Sequence, residues 1–235
     1  MKIGFIGAGN MGSALASAAS KCKDVSLYVY DKNTKLASEL AERLGGKFAE
    51  AKDIAKDCDY VFLAVKPNII PFVAAEIKSS LKKDAVIVSM AAGISIAKIE
   101  GFFETNPPII RIMPNTPVSV GAGLILWCKN KLVSDEKAEE FINTMAHAGS
   151  FDKIDEEKID AASAISGCGP AFVYMFIEAL ADGGVQCGLP RAAAQKYAEA
   201  TVLGATTAAP CPMKSLNLPP IPLRSYSTAQ MPSPL

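Results

Sequence analysis

The strongest indication of the fold is the sequence Gly7-Ala8-Gly9-Asn10-Met11-Gly12, near the amino terminus. It follows the apolar run 3–6, which predicts a buried strand ending at Ile6, and it precedes the alanine-rich run 13–19, which is typical of a helix. Glycines between a strand and a helix indicate a dinucleotide-binding βαβ unit. Gly7 would allow the tight turn, Gly9 would let backbone approach a pyrophosphate, and Gly12 would let helix pack on strand. The helix start would add unpaired N–H groups and a positive dipole end. The alternative is a glycine turn without a ligand.

The second predicted strand, residues 25–30, ends at Asp31. An acidic residue about twenty positions beyond the glycines is placed to hold a ribose hydroxyl. A carboxylate favours NAD because it would repel a 2′-phosphate, whereas the ammonium of Lys32 could pair with that phosphate. The choice between NAD and NADP therefore stays open. Asp31 could instead cap the next helix together with Asn33 and Thr34.

Composition limits the class of protein. The chain has 235 residues, half of them hydrophobic, and a formal net charge of zero, which predicts a full core and indicates neither a nucleic acid nor a membrane as partner. We expect no bilayer span, because no apolar run reaches about 18 residues, and no signal peptide. The six cysteines lack a Cys-x-x-Cys pair, so reduced thiols, a cytoplasmic location and no metal site are expected. His147 is the sole histidine, and nothing near it supports a Ser-His-Asp arrangement.

Strand and helix patterns alternate along residues 1–152. The predicted strands are 2–6, 25–30, 59–65, 85–89, 109–113 and 122–128, and the predicted helices are 12–21, 34–44, 68–81 and 95–103. This alternation predicts an α/β fold with a doubly wound parallel sheet, an NAD(P)-binding Rossmann domain. Ligands of such sheets lie beyond the carboxyl ends of the strands.

Only helices are predicted beyond residue 152. A helix over 155–165 is interrupted by Ser166-Gly167-Cys168-Gly169-Pro170, and a new helix starts at this proline. The second helix is apolar on most sides, and one further helix from Pro190 to about Ala205 is too little to cover it. We therefore expect a homodimer or a higher homo-oligomer, with 153–205 as an incomplete helical dimerisation and substrate domain. The segment 206–235 carries seven of the fifteen prolines and no acidic residue, which is typical of disorder.

Three further strand ends carry candidate site residues. Ala64-Val65-Lys66-Pro67 would place a cation near the cofactor, and the small residues Ala91-Ala92-Gly93 would let backbone approach a flat ring. Two prolines hold Asn115 and Thr116, which could address the nicotinamide or the substrate. The N–H groups at the break that contains Ser166, Gly167 and Gly169 could hold a carboxylate. A solvated lysine, ordinary turns and a simple helix kink are the respective alternatives.

The absence of histidine from these strand ends bears on the reaction. A carbonyl reduction that needs a strong general acid would be poorly served there. An imine nitrogen is protonated more easily, so hydride transfer to it needs mainly positioning and exclusion of water.

Five segments together resemble pyrroline-5-carboxylate reductase, the family that completes proline synthesis. They are 5–11, 64–67, 91–93, 111–117 and 166–172, in the family's order. The resemblance implies a Rossmann domain followed by an all-helical dimerisation domain, and NAD(P)H-dependent reduction of a cyclic imine carboxylate to L-proline. NADPH is favoured by the resemblance, and substrate contacts are implied at residues 115, 116, 166, 167 and 169.

The resemblance ends near residue 205, because the family's Ser-Pro-Gly-Gly-Thr-Thr segment is missing from the residues beyond it. We therefore expect a chain truncated or frameshifted near that point, with cofactor binding and weak or no turnover. One alternative function is an inactive NAD(P)-binding or partner-binding remnant. Another is a related hydroxyacid dehydrogenase, which would use a lysine as acid, but neither Lys158 nor Lys196 has a comparable setting.

Overall fold

The computed structural model describes residues 1–208, which fall into one compact unit over Met1–Met175 and a second beginning at Phe176. The first unit contains one eight-stranded sheet of order β3-β2-β1-β4-β5-β6-β7-β8. The strands are β1 (Lys2–Ile6), β2 (Ser26–Tyr30), β3 (Lys47–Phe48), β4 (Tyr60–Leu63), β5 (Val86–Ser89), β6 (Ile109–Met113), β7 (Gly123–Lys129) and β8 (Gly149–Lys153).

Helices connect these strands and follow the sheet. They are α1 (Asn10–Ala19), α2 (Thr34–Arg43), α3 (Ala51–Asp57), α4 (Ile70–Ile77), α5 (Ile96–Glu100), α6 (Asp135–Thr144), α7 (Ile159–Ser166), α8 (Gly169–Gln186) and α9 (Arg191–Ala208). Short 3₁₀ turns occupy Pro67–Ile69, Thr116–Val120, Ala146–Ala148 and Glu156–Lys158. The predicted elements are therefore present, with ends that differ by a few residues.

The predicted doubly wound parallel sheet is confirmed, with one antiparallel strand pair as the exception. Strands β1 to β6 pair in parallel, but β7 runs antiparallel to β6, with Arg111 opposite Cys128. The loop 114–122 between these two strands is shorter than the dozen or more residues that a parallel crossover needs. Strand β8 pairs in parallel with β7 after the α6 connection.

Four elements of the structure were not predicted from the sequence: β3, α3, α6 and β8. Strand β3 has two residues, both exposed, and α3 has seven, so neither carries a readable period. Helix α6 is rich in exposed charge, but its start carries a signal that was available, since the Ser134 side chain accepts a hydrogen bond from the N–H of Lys137. Short or polar elements are stabilised mainly by tertiary packing, so the local sequence pattern does not predict them.

Both faces of the sheet are covered, as the alternation along β1 illustrates. Ile3 and Phe5 pack into one buried cluster, and Ile6 packs into the other. The ring of Phe5 stacks on that of Phe62 on the adjacent strand, with centroids 4.2 Å apart. Packing on both faces fixes the strand ends, and therefore the loops that follow them.

The second unit has a small core of its own. Ala181 of α8 packs there with Ala194 and Ala198 of α9, and small side chains allow the two helices to approach closely. Large apolar side chains of the same two helices, including Leu180, Tyr197 and Leu203, stay exposed.

The expectation that no segment is apolar enough to cross a bilayer needs correction. The helical stretch Glu156–Gln186 contains an 18-residue window of mean hydropathy 1.5, which meets that requirement by length and composition. The window was missed because glycines and the 166–170 break interrupt its apolar residues. Most of it is exposed in the single chain. A helix that becomes buried in a protein interface has the same composition.

Candidate functional site

The glycine loop after β1 has the geometry predicted for it. Gly7 has φ +115°, and a Cβ there would lie 2.3 Å from the carbonyl oxygen of Ala64. A Cβ on Gly12 would lie 2.5 Å from the carbonyl oxygen of Gly7. Gly9 differs, because a Cβ there would have no described heavy atom within 4 Å. Two glycines are therefore required by the chain's own packing, whereas Gly9 leaves open space beside the loop.

That open space lies at the start of α1. Gly9 is the N-cap residue of α1, and no side chain caps the helix. The first N–H groups of a helix lack partners within the helix, and the helix dipole favours a negative charge beside them. A cavity of about 460 Å³ adjoins this point and is lined in part by Ala8, Gly9 and Asn10. The uncapped start of α1 and the adjoining cavity have room for a phosphate in direct contact with the backbone.

Asp31 joins the glycine loop to the end of β2. Its Oδ2 accepts the N–H of Ala8 at 2.7 Å, and its Oδ1 accepts the N–H of Asn33 at 2.9 Å. The cap of α2 is Asn33, which accepts the N–H of Leu36 at 3.2 Å, so the alternative role of Asp31 as a helix cap is wrong. Lys32 is exposed beside this carboxylate. Each carboxylate oxygen keeps a second lone pair for a ligand hydroxyl.

The loops after β4 and β5 border the same edge of the parallel sheet. Ala64 contacts the glycine loop at Gly7, and Lys66 is exposed just before the 3₁₀ turn at Pro67. Gly93 has φ +71°, and a Cβ there would meet no described heavy atom within 4 Å. The small residues therefore leave room at this loop as well.

Asn115 makes hydrogen bonds within the protein that the sequence did not predict. Its side chain is buried, its Nδ2 donates to the carbonyl oxygen of Ser166 at 2.9 Å, and its Oδ1 accepts the N–H of Leu124 at 2.9 Å. Both ends of the amide are thus engaged by protein, and a direct contact with nicotinamide or substrate stays a prediction. Thr116, next in the chain, is exposed and free to face a ligand.

Asn115 fixes the break between α7 and α8 to the end of β6. The Oγ of Ser166 is buried and has no hydrogen-bond partner among the described residues. Gly167 is required locally, since a Cβ would lie 2.8 Å from the carbonyl oxygen of Ser163, whereas Gly169 faces open space. The two polar segments singled out from the sequence therefore meet.

An ion-pair cluster behind this loop was not predicted. Arg111 lies in β6 with 3% of its surface exposed, and its Nη1 donates to Oε1 of Glu156 at 3.0 Å while its Nη2 lies 3.3 Å from Oδ1 of Asp160. The same Glu156 oxygen accepts the N–H of Ile96 at 2.6 Å. A signal existed in the sequence, because an arginine inside the apolar run Ile-Ile-Arg-Ile-Met needs a carboxylate partner once it is buried.

Thiol chemistry is not favoured near this cluster. Cys128 lies opposite Arg111 on β7, and burial raises the pKa of its thiol to about 11, with the nearby Glu156 carboxylate adding to the effect. The five cysteines in the described part of the chain are free. A neutral, buried thiol is a poor nucleophile at physiological pH.

Comparison with family profiles divides the chain in two. Residues 2–93 match the profile "NADP oxidoreductase coenzyme F420-dependent", and residues 156–221 match "Pyrroline-5-carboxylate reductase dimerisation". The second match continues to residue 221, beyond the end of the resemblance expected near residue 205 and into residues that the structure does not describe. The disorder expected for 206–235 falls almost wholly on those undescribed residues.

Curated relatives and solved structures agree with these profiles. The pyrroline-5-carboxylate reductase of Escherichia coli K12 is 40% identical over 207 residues, covering 86% of this chain and 77% of the relative. Human pyrroline-5-carboxylate reductase 2 is 35% identical over 213 residues, covering 87% of this chain and 67% of the relative.

The structural neighbours give the same result. The 1-pyrroline-5-carboxylate reductase of Streptococcus pyogenes superposes with a TM-score of 0.81 at 32% identity, covering 94% of this chain and 82% of the neighbour. The Plasmodium falciparum enzyme with NADP bound gives 0.77 at 33% identity, covering 93% and 80%. A 3-hydroxyisobutyrate dehydrogenase of Mycobacterium tuberculosis, at 13% identity and a TM-score of 0.57, shares the fold alone.

Proposed function

The chain belongs to the pyrroline-5-carboxylate reductase family, and from this premise we propose that it reduces 1-pyrroline-5-carboxylate to L-proline. This is the last step of proline biosynthesis. It is an NAD(P)H-dependent oxidoreductase reaction at a C=N bond, and the reduced nicotinamide supplies the hydride. A hydroxyacid dehydrogenase is disfavoured, because Lys158 is paired with Asp155 on the surface at 2.7 Å.

The observation that carries the proposal is the open backbone at Gly9. Its neighbours Gly7 and Gly12 are required for packing, but Gly9 is not, and it lies at the start of an uncapped helix. A ligand phosphate explains why this position lacks a side chain. We assign cofactor contacts to residues 6–12, 31, 32, 64–67, 91–93 and 115.

The substrate half of the site is assigned to residues 115, 116, 166, 167 and 169. Helix α8 starts at Gly169, so its first N–H groups are suited to a substrate carboxylate. The buried and unpartnered Oγ of Ser166 offers a further polar group at the same break. The residues of the chain would bind and orient the imine and exclude water from it. Hydride transfer to a protonated imine does not require a strong general acid from the protein.

The cofactor form is NAD(P)H, with the preference to be measured. The Asp31 carboxylate disfavours a 2′-phosphate, whereas the exposed Lys32 favours one. The P. falciparum neighbour binds NADP, which supports NADPH as the first candidate.

The proposed assembly is a homo-oligomer, at least a dimer. Helix α8 exposes 67% of Phe172, 65% of Met175 and 58% of Phe176, and residues 156–221 match a dimerisation profile. A second copy of the chain would bury these side chains, and each Å² of apolar surface buried would stabilise the dimer by about 25 cal/mol. We further propose Rossmann and helical domains meeting near residue 152, and a cytoplasmic location with reduced thiols.

The test is titration of the purified chain with NADH and NADPH, followed by rate measurements with pyrroline-5-carboxylate and sedimentation. Binding of either coenzyme together with proline formation supports the proposal. Binding of a coenzyme without proline formation favours an inactive NAD(P)-binding or partner-binding protein. Absence of binding by a folded sample overturns the cofactor assignment, and a stable monomer overturns the assembly.

A further inference from the structure

We propose that Glu156 and Arg111 are positioning residues, which together hold the loop after β5 and the α7–α8 break in one geometry. Neither residue is assigned a ligand contact. The inference rests on the proposed function for what those two segments bind, but the link between them is a property of the chain itself.

The first step is the bridging oxygen. Oε1 of Glu156 accepts the N–H of Ile96 at 2.6 Å and lies 3.0 Å from Nη1 of Arg111. Ile96 is the first residue of α5, which follows the 91–93 loop, whereas Arg111 lies four residues before Asn115 on β6. One carboxylate oxygen therefore connects the start of α5 to strand β6.

The second step is the attachment of α7 at both ends. At its start, Arg111 contacts Glu156 and Asp160, and at its end the Ser166 carbonyl accepts a hydrogen bond from Asn115. Helix α7 is thus fixed to β6 and to the residue just beyond β6. Loosening one attachment leaves the helix free to pivot about the other, which would move the 166–170 break.

The third step compares how strongly the two carboxylates interact with the Arg111 guanidinium. The Arg111 side chain is 4% exposed and that of Glu156 is 32% exposed, whereas that of Asp160 is 73% exposed. Exposed ion pairs contribute little, and a buried guanidinium depends on its better-shielded partner. Glu156 is therefore the main counterion, and among the residues that the structure describes its contact to the N–H of Ile96 has no equivalent at Asp160.

The test uses native-state amide hydrogen exchange of the full chain at three reporter amides. They are Ile96, bonded to Glu156; Leu124, bonded to Asn115; and Ala8, bonded to Asp31 as a remote reference. Glu156→Ala removes the acceptor, and Glu156→Gln keeps an acceptor oxygen without the charge. Glu157→Ala is the matched control, because Glu157 is exposed and makes no ion pair or side-chain hydrogen bond among the described residues.

Coupling predicts that Glu156→Ala accelerates exchange at Ile96 and Leu124 by about 10-fold or more, with Ala8 unchanged within about 2-fold. Glu156→Gln, which keeps the acceptor but loses the charge, should accelerate both amides less than Glu156→Ala does, and Glu157→Ala should change none. Acceleration at Ile96 alone would make Glu156 a local cap, and equal acceleration at all three would make the pair a general stabiliser. Either result overturns the proposal.

A second variant covers the case in which Glu156→Ala does not fold. Glu156→Asp keeps the charge but shortens the side chain, so one carboxylate can no longer reach both Arg111 and the N–H of Ile96, and exchange at Leu124 should accelerate by a larger factor than at Ala8. Equal fold changes at those two amides overturn the proposal. The exchange measurements need no turnover, so an inactive wild-type chain, which bears on the proposed function, leaves this test decisive. Where the chain is active, Glu156→Gln should lower kcat less than Glu156→Ala does.

Discussion

Gly9→Ala should weaken coenzyme binding while leaving the fold intact. The new methyl group would meet no described heavy atom within 4 Å, and Gly9 has φ −66° and ψ 179°, which alanine adopts without strain. The same methyl group would occupy the space through which a pyrophosphate approaches the backbone. Stability and binding should therefore separate at this position.

The two magnitudes follow from the local geometry. Alanine is a poorer N-cap than glycine by about 0.5–1 kcal/mol, but it restricts the unfolded chain by about 0.4–1 kcal/mol, so the net change in unfolding free energy is within about 0.5 kcal/mol. Loss of one hydrogen bond to a charged phosphate costs about 1.5–3 kcal/mol, a factor of roughly 10–150 in Kd. Gly12→Ala is the matched control, because its methyl group would lie 2.5 Å from the Gly7 carbonyl oxygen. That overlap should destabilise the protein by about 1–3 kcal/mol.

The assay combines urea unfolding with fluorescence titration of NADH and NADPH for the wild type and both variants. Gly9→Ala should unfold at the wild-type urea concentration and bind each coenzyme at least about 10-fold more weakly. Wild-type affinity in Gly9→Ala would refute the placement of a phosphate at the start of α1. A large loss of stability would refute the claim that this position is open.

Three other changes test the surrounding structure. Asn115→Ala leaves the N–H of Leu124 and a carbonyl oxygen without their partner, and should lower the unfolding free energy by about 2 kcal/mol in urea. Burial raises the pKa of Asp59, but a backbone N–H and a lysine ammonium outweigh it and hold that pKa below 3.8. Because the folded-state pKa is depressed, this contribution to stability is present above about pH 4 and is lost as pH falls, so Asp59→Asn should flatten stability against pH in that acid range. Burial raises the pKa of the Cys58 thiol to about 12, so iodoacetamide at neutral pH should label exposed Cys168 much faster, as followed by mass spectrometry.

A contrary result is defined for each of these three predictions. Unchanged urea stability in Asn115→Ala would mean that its two hydrogen bonds do not form in solution. The same acid sensitivity in Asp59→Asn as in the wild type would assign the pH effect to other carboxylates. Labelling of Cys58 at the rate of exposed Cys187, which serves as the internal control, would contradict the burial of α3 against β1.

Local pattern predicted much of the fold. The glycine loop, the long apolar strands and the helices beyond residue 152 carry their signals within a few neighbouring residues. The antiparallel direction of β7 does not follow from its own residues, because strand direction depends on the connection to the preceding strand. The loop 114–122 is too short for the crossover that a parallel pair needs. Strand β3 and helix α3 were missed because two and seven residues carry too little period.

The candidate site divides in the same way. The glycine loop proposed for the cofactor could be predicted from the sequence, because one contiguous strand–glycine–helix stretch fixes its own backbone, and five separated segments resemble one family. The hydrogen bond from Asn115 to Ser166 and the pairing of Arg111 with Glu156, 45 residues away, became evident from the packed structure alone. Contacts between such distant residues depend on the packing of whole elements, and a single sequence does not state which buried polar group will meet which partner.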